Sequence, residues 1–225
     1  MAAMASQPAM SSGPRITIGS VRGNGRGNTL LLWIPVSVVG AAVGAMVGGE
    51  IRTLGLSMNS NGTFEALRYL ATIVSAVVAA SAQWWVLQRA RLDVYWWVPG
   101  TVAAGLLENI LVIPSVLKLF YPQHPHQSFN PSLAESMIVG AAALAAGGLL
   151  VGTVQTVILR ASFRRDAWLW VPATVLGGAL AGSVTTAVSS HFFVLAPLVA
   201  VGLAAATGAV LIAGCQVIVL ARLLR

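Results

Sequence analysis

The chain has 225 residues, 57% of them hydrophobic and 8% charged, with a mean hydropathy of +0.82. Soluble domains carry about 25% charged residues, so this chain cannot cover a water-facing surface of its size. Its apolar content, aperiodic glycines and single cysteine, Cys215, exclude disorder, collagen and a disulfide scaffold. The formal charge of +7 comes from bases set between apolar runs, which signals topology and not a nucleic-acid surface.

Residues 1–28 are rich in Gly, Ser, Ala and Arg and contain no acid. They are expected to form a flexible basic cytoplasmic tail, because they cannot bury enough apolar area to offset ordering. Six apolar segments follow, at 29–49, 65–88, 95–117, 132–159, 167–190 and 197–220. Each is continuous rather than alternating, and each is long enough at 1.5 Å per residue to cross a hydrocarbon core of about 30 Å. The expected fold is therefore all-α: a polytopic membrane domain of six helices over residues 29–225. A cleavable signal peptide ending in the small residues 40–45 competes for the first segment. The long charged region before it, and a motif that span 1 shares with spans 3 and 5, keep it in the mature chain.

Ten of the thirteen bases lie in the tail, in the links after spans 2 and 4, and at the C-terminus; Arg52, Arg68 and Lys118 lie at the opposite helix ends. The asymmetry places both termini on the cytoplasmic side of a cell's inner membrane. The sequon Asn61-Gly62-Thr63 then falls on the outer side, where a three-residue match carries no weight without a known host.

An internal repeat organises the domain. Odd spans open on Trp-[Ile/Val]-Pro-x-[Ser/Thr], at Trp33 to Ser37, Trp97 to Thr101 and Trp170 to Thr174. Even spans close on Gln-x-x-[Val/Ile]-Leu, at Gln83 to Leu87, Gln155 to Leu159 and Gln216 to Leu220. Two small residues four apart precede each Gln: Ala76 and Ala80, Gly148 and Gly152, Ala209 and Ala213. The pattern predicts three parallel helical hairpins about a pseudo-threefold axis. In each, Trp is expected at the headgroup level, Pro in the first helical turn, and the small pair where backbones approach closely. Gln83, Gln155, Gln216, Ser37, Thr101 and Thr174 share one depth and form a polar layer. That layer is either helix-packing glue, at about 0.6–2 kcal/mol per contact, or the lining of a vestibule.

The stretch Gln83-Trp84-Trp85-Val86-Leu87-Gln88-Arg89, with Tyr95-Trp96-Trp97-Val98-Pro99 and Gly105 beyond a short basic link, resembles the hairpin unit of uncharacterised multi-pass proteins of cyanobacteria and Chloroflexota. Those proteins carry such units in tandem. The resemblance covers residues 30–225 and implies no activity.

Glu108 breaks the repeat. It lies eleven residues past Trp97, about 16 Å up the helix and near mid-membrane. An acid there costs about 2.5–3.5 kcal/mol on insertion scales, and such residues face a bundle interior or water. The equivalent positions are Gly44 and Ala181. Asn109 follows it, and Ser75, Ser183, Thr185 and Thr186 stand at comparable depth. Glu108 and Asn109 are thus the candidate ion or proton site, and a neutral acid bonding a neighbouring helix is the structural alternative. Asp93 and Asp166 are expected to offset Arg91 and Arg165. His124 and His126 would need further ligands to hold a metal, and no catalytic motif is present, so neither an enzyme, a metal site nor a cofactor is expected. Cys215 is expected to be a small packing residue.

Two functions remain open on the sequence. The first is a non-enzymatic scaffold, sensor or accessory subunit of a membrane complex, favoured by low charge, short loops and dense small residues. The second is a small transporter or channel that uses Glu108 as a proton or cation site. Beside the lipid bilayer, the candidate partners are other membrane subunits or further copies of the chain; nucleic acid is not among them. A polar cavity joining Glu108 to either surface favours transport, and a dry Gly/Ala-packed centre favours the scaffold.

Overall fold

A computed structural model describes residues 22–57, 61–122, 131–163, 166–192 and 197–224. Most of the expected tail, together with His124, His126 and Arg165, lies outside the described residues. The chain is an all-helical membrane protein, with six helical stretches among the described residues long and apolar enough to span a bilayer. Span 1 is α1 (Arg22–Leu56) and span 2 is α2 (Asn61–Arg89). Span 3 is composite: α3 (Trp97–Leu107), a π turn (Glu108–Val112) and α4 (Ile113–Phe120). Spans 4 to 6 are α5 (Leu133–Leu159), α6 (Trp170–Phe192) behind a short 3₁₀ turn (Ala167–Leu169), and α7 (Pro197–Leu223).

Local chemistry sets the ends. Ser132 and Glu135 form a capping box at the start of α5: the Glu135 amide donates to Ser132 Oγ, and Glu135 accepts the Ser132 amide at 2.8 Å. Helix α2 stops where Leu92 N–H reaches back to the Leu87 carbonyl and Arg91 N–H to the Gln88 carbonyl. That Schellman closure puts Arg91 in the left-handed region, at φ 57°. Pro99 and Pro172 occupy first turns, as expected. Pro35 does not: α1 begins at Arg22, so Pro35 lies in its interior, where its ring removes the hydrogen bond to the carbonyl four residues back.

The spans close into a ring, each against its sequence neighbours and α7 against α1. Glycine makes most of those contacts close. A Cβ on Gly182 would meet the carbonyl of Gly140, and one on Gly178 the carbonyl of Leu144, so α5 and α6 touch backbone to backbone. Gly44 does the same for α1 against Ser75 of α2, where Gly48 faces the Ala71 carbonyl and Ser75 Oγ, and Gly177 does so for α6 against Ile212 of α7. Span 3 lacks such contacts. Gly100 meets only the side chains of Ile158 and Val154, and the nearest atom to a Cβ on Gly105 is 3.9 Å away. It is accordingly the least buried of the six spans.

Where the ring tightens, the three motif tryptophans meet. Trp33, Trp97 and Trp170 are wholly buried and touch edge to face, with centroids 5.6–6.3 Å apart and interplanar angles of 73–76° and 77°. Such pairs contribute about 0.5–1.5 kcal/mol each beyond their burial. Leu87, Leu159 and Leu220, the last residues of the even-span motif, are also wholly buried in the same cluster. This corrects the headgroup placement of the motif tryptophans, which pack on the axis instead. Trp85, Trp96 and Trp168 are the exposed ones, and Arg89 lies over the Trp85 ring at 4.2 Å.

Candidate functional site: an axial chamber and a crevice that share Glu108

One helical turn inside the tryptophan cluster lies the polar layer. Gln155 is nearly fully buried and bridges two spans: its Oε1 accepts from Trp170 Nε1 at 2.8 Å, and its Nε2 donates to Thr101 Oγ1 at 3.2 Å. Gln216 donates from Nε2 to Thr174 Oγ1 at 3.1 Å. Thr174 passes its own proton to the Trp170 carbonyl. These two glutamines each bond the hydroxyl of their own hairpin, and Gln155 also holds the tryptophan of the next.

Among the described residues, four buried polar atoms have no partner: Trp33 Nε1, Ser37 Oγ, Trp97 Nε1 and Gln216 Oε1. Transferring the Gln155 relation around the ring would pair Gln216 with Trp33, and Gln83 with both Ser37 and Trp97. The open atoms therefore fall at the two junctions where that bridge is incomplete. Leaving such a group unmet costs about 1–3 kcal/mol, so water or a ligand is the natural partner.

Of these groups, Ser37 and Gln216 line a chamber of about 350 Å³ on the axis, walled by Ser37, Thr101, Thr174 and all three glutamines. The small residues before each Gln mostly line it: Ala76, Ala80, Gly148, Ala209 and Ala213. Gly148 does also pack on the Thr174 carbonyl, and Gly152 on the Thr174 side chain. Their small size therefore serves helix contact at α5–α6 and keeps the axis open elsewhere.

Glu108 stands at the far end of this chamber and also lines a second, larger crevice of about 730 Å³. The two share Ala41, Ala76, Ala79 and Leu144 besides Glu108. The crevice runs toward the helix ends remote from the tryptophans, past Thr72, Ser75 and Asn109 to Arg52, Thr53 and Pro197. Glu108 begins the π turn, in which Ile113 N–H bonds the Glu108 carbonyl five residues back. Pro114 has no N–H for the Ile110 carbonyl, and an extra residue in the turn accommodates that loss. The carboxyl of Glu108 lies directly on Gly147 of α5, where any Cβ would collide with it.

The expected neighbours of Glu108 divide. Ser75 shares the crevice with it and Thr185 the chamber. Ser183 donates instead to the Met137 carbonyl, and Thr186 to the Gly182 carbonyl. Asn109 lines the crevice while its Nδ2 donates to the Gly105 carbonyl at 3.1 Å. Asp166 pairs with Arg222, at 3.4 Å. Cys215 is half-buried. Among the described residues, no three His, Cys, Asp or Glu side chains converge as a metal site would require.

Sequence reasoning missed the tryptophan cluster, Gly147 and the crevice face of Arg52. The fixed register of the three tryptophans was a signal for the first. Nothing distinguishes Gly147 from the other small residues of span 4 before its contact with Glu108 is known. No family model, curated protein or solved structure matches this chain.

Proposed function

We propose that this protein is a small non-enzymatic membrane carrier that moves protons or cations through Glu108. The observation that supports it is the position of that carboxyl, on the wall of both the axial chamber and the crevice leading to the far end. An acid near mid-membrane is costly, and facing a hydrated path is the usual means of offsetting that cost. The π turn that carries it supports the same reading, since such turns recur at functional positions. The tryptophan cluster and its glutamine bridges act as the closed gate of the other end. By the distribution of bases, that end faces the cytoplasm, with both termini there and the crevice opening outward. The resemblance to tandem-hairpin bacterial proteins supports the inner membrane as the location.

The test is flux into vesicles containing the purified chain and an entrapped pH dye, under an imposed membrane potential. Wild-type protein should acidify the lumen faster than protein-free vesicles. Glu108→Gln keeps the shape of the neutral acid and should fold yet lose that flux. Gly147→Ala should lose it too, because the new methyl displaces the Glu108 carboxyl. Equal rates with wild-type protein, with Glu108→Gln and with empty vesicles would return the chain to a structural subunit of a membrane complex.

A further inference from the structure

The crevice wall holds two side chains of opposite charge, Glu108 at its inner end and Arg52 toward its mouth. The ion pairs among the described residues involve neither. Arg68, also at the far end, is by contrast neutralised by Glu65 at 2.8 Å. Ser37 and Thr101 belong to one layer, and Arg52 and Glu108 lie fifteen and seven residues beyond them. The two backbone positions therefore differ in height by about 12 Å, a gap that the long arginine side chain can shorten. Between them the wall is small and apolar apart from the Thr72 and Ser75 hydroxyls and the Asn109 amide.

A simple cation entering this crevice must pass the exposed Arg52 guanidinium, which repels it, and a simple anion is held at Arg52 and repelled by Glu108. The anion thus leaves Glu108 unpaired in an apolar cleft, which is costly, and the cation reaches Glu108 only against repulsion at the mouth. A molecule carrying both charges satisfies both and brings no net charge into the membrane. We infer that the crevice binds a short zwitterion whose charges stand several ångströms apart, of the ω-amino acid or short-peptide class. Its ammonium sits on Glu108 and its carboxylate on the Arg52 guanidinium, whose planar fork suits a carboxylate. The inference rests on the carrier reading, in which Glu108 takes a proton or a cationic group, and it names the ammonium of a zwitterion as that group.

Equilibrium binding to the purified full-length chain in detergent tests it. Glycine, 4-aminobutanoate and 6-aminohexanoate form a series of growing charge separation; butanoate and butylammonium carry one charge each. One of the two longer zwitterions should bind saturably, at least about tenfold more tightly than either single-charge control, since a charged hydrogen bond is worth about that much. Glu108→Gln should remove its advantage over butanoate, and Arg52→Gln its advantage over butylammonium. Arg52 is exposed, so its variant keeps the test valid if Glu108→Gln fails to fold. Butylammonium binding as tightly as the zwitterions, an unchanged affinity in Arg52→Gln, or no saturable binding across the series overturns the inference. Binding without Glu108-dependent flux sinks the carrier and leaves the site standing; flux without binding does the reverse.

Discussion

Gln155 and Gln216 hold the same place in the repeat, yet they do different amounts of bonding. Gln155 satisfies a buried indole N–H on one span and a hydroxyl on another, whereas Gln216 makes only the hydroxyl bond and keeps Oε1 open. Replacing Gln155 by Leu strands Trp170 Nε1 in a cluster with no exposure, which should cost about 1–3 kcal/mol. Gln216→Leu loses one interhelical contact and removes an unmet acceptor, so its cost should fall near the membrane average of about 0.6 kcal/mol. Thermal melts in a single detergent should rank the variants wild type, Gln216→Leu, Gln155→Leu, from most to least stable. A Gln216→Leu protein less stable than Gln155→Leu would show that the bridging geometry is misassigned. The polar layer thus combines packing at one junction with open hydrogen-bonding capacity at the other two.

At the level of helices, glycine decides which contacts are tight. Gly182 and Gly140 meet backbone to backbone, and a carbonyl cannot swing aside as a side chain can. Gly182→Ala should therefore force α5 and α6 apart at a cost of about 1–3 kcal/mol, the usual penalty of overpacking. Gly105→Ala on span 3 should be neutral, because its Cβ would meet its first neighbour at 3.9 Å. Melting temperatures of the two variants measure the contrast, and equal losses would contradict the difference in helix packing. Span 3 is thus the element with the least to break when it moves, and it is the one that carries Glu108, the π turn and Pro114. The regular spans hold the ring together, and the irregular one carries the acid that both cavities share.

For the whole molecule, the arrangement of bases gives an orientation that labelling can check. In a background where Cys215 is replaced, single cysteines at Ser60 and Pro125 should react with an impermeant maleimide added to intact cells. Cysteines at Leu92 and Phe163 should react only after lysis. Labelling of Leu92→Cys or Phe163→Cys from outside would invert the orientation, and with it the side on which the crevice opens. The ring, the buried tryptophan cluster, and the chamber and crevice that share Glu108 in their walls exist only at this scale. Each wall of the chamber draws residues from several spans, including ones far apart in the chain.

The number of spans, their approximate limits, the ends that carry the bases, the shared level of the glutamines and hydroxyls, and the place of Glu108 midway along its span were all determined by the sequence alone. Each depends on quantities that run along the chain: apolar length against bilayer thickness, charge next to a span, and rise per residue. Which face of each helix turns toward the axis was decided only by the tertiary structure. Lipid tails are as apolar as leucine, so no hydrophobic difference along these helices marks inside from outside. For that reason Trp33, Trp97 and Trp170 read from sequence as interfacial residues, while their burial came from contact with one another. The same indifference hid Gly147 among the small residues of α5, and Arg52 among the charges of the far end. Only the packing of α1, α3 and α5 around one axis set Arg52 along the crevice from Glu108, and Gly147 beneath its carboxyl.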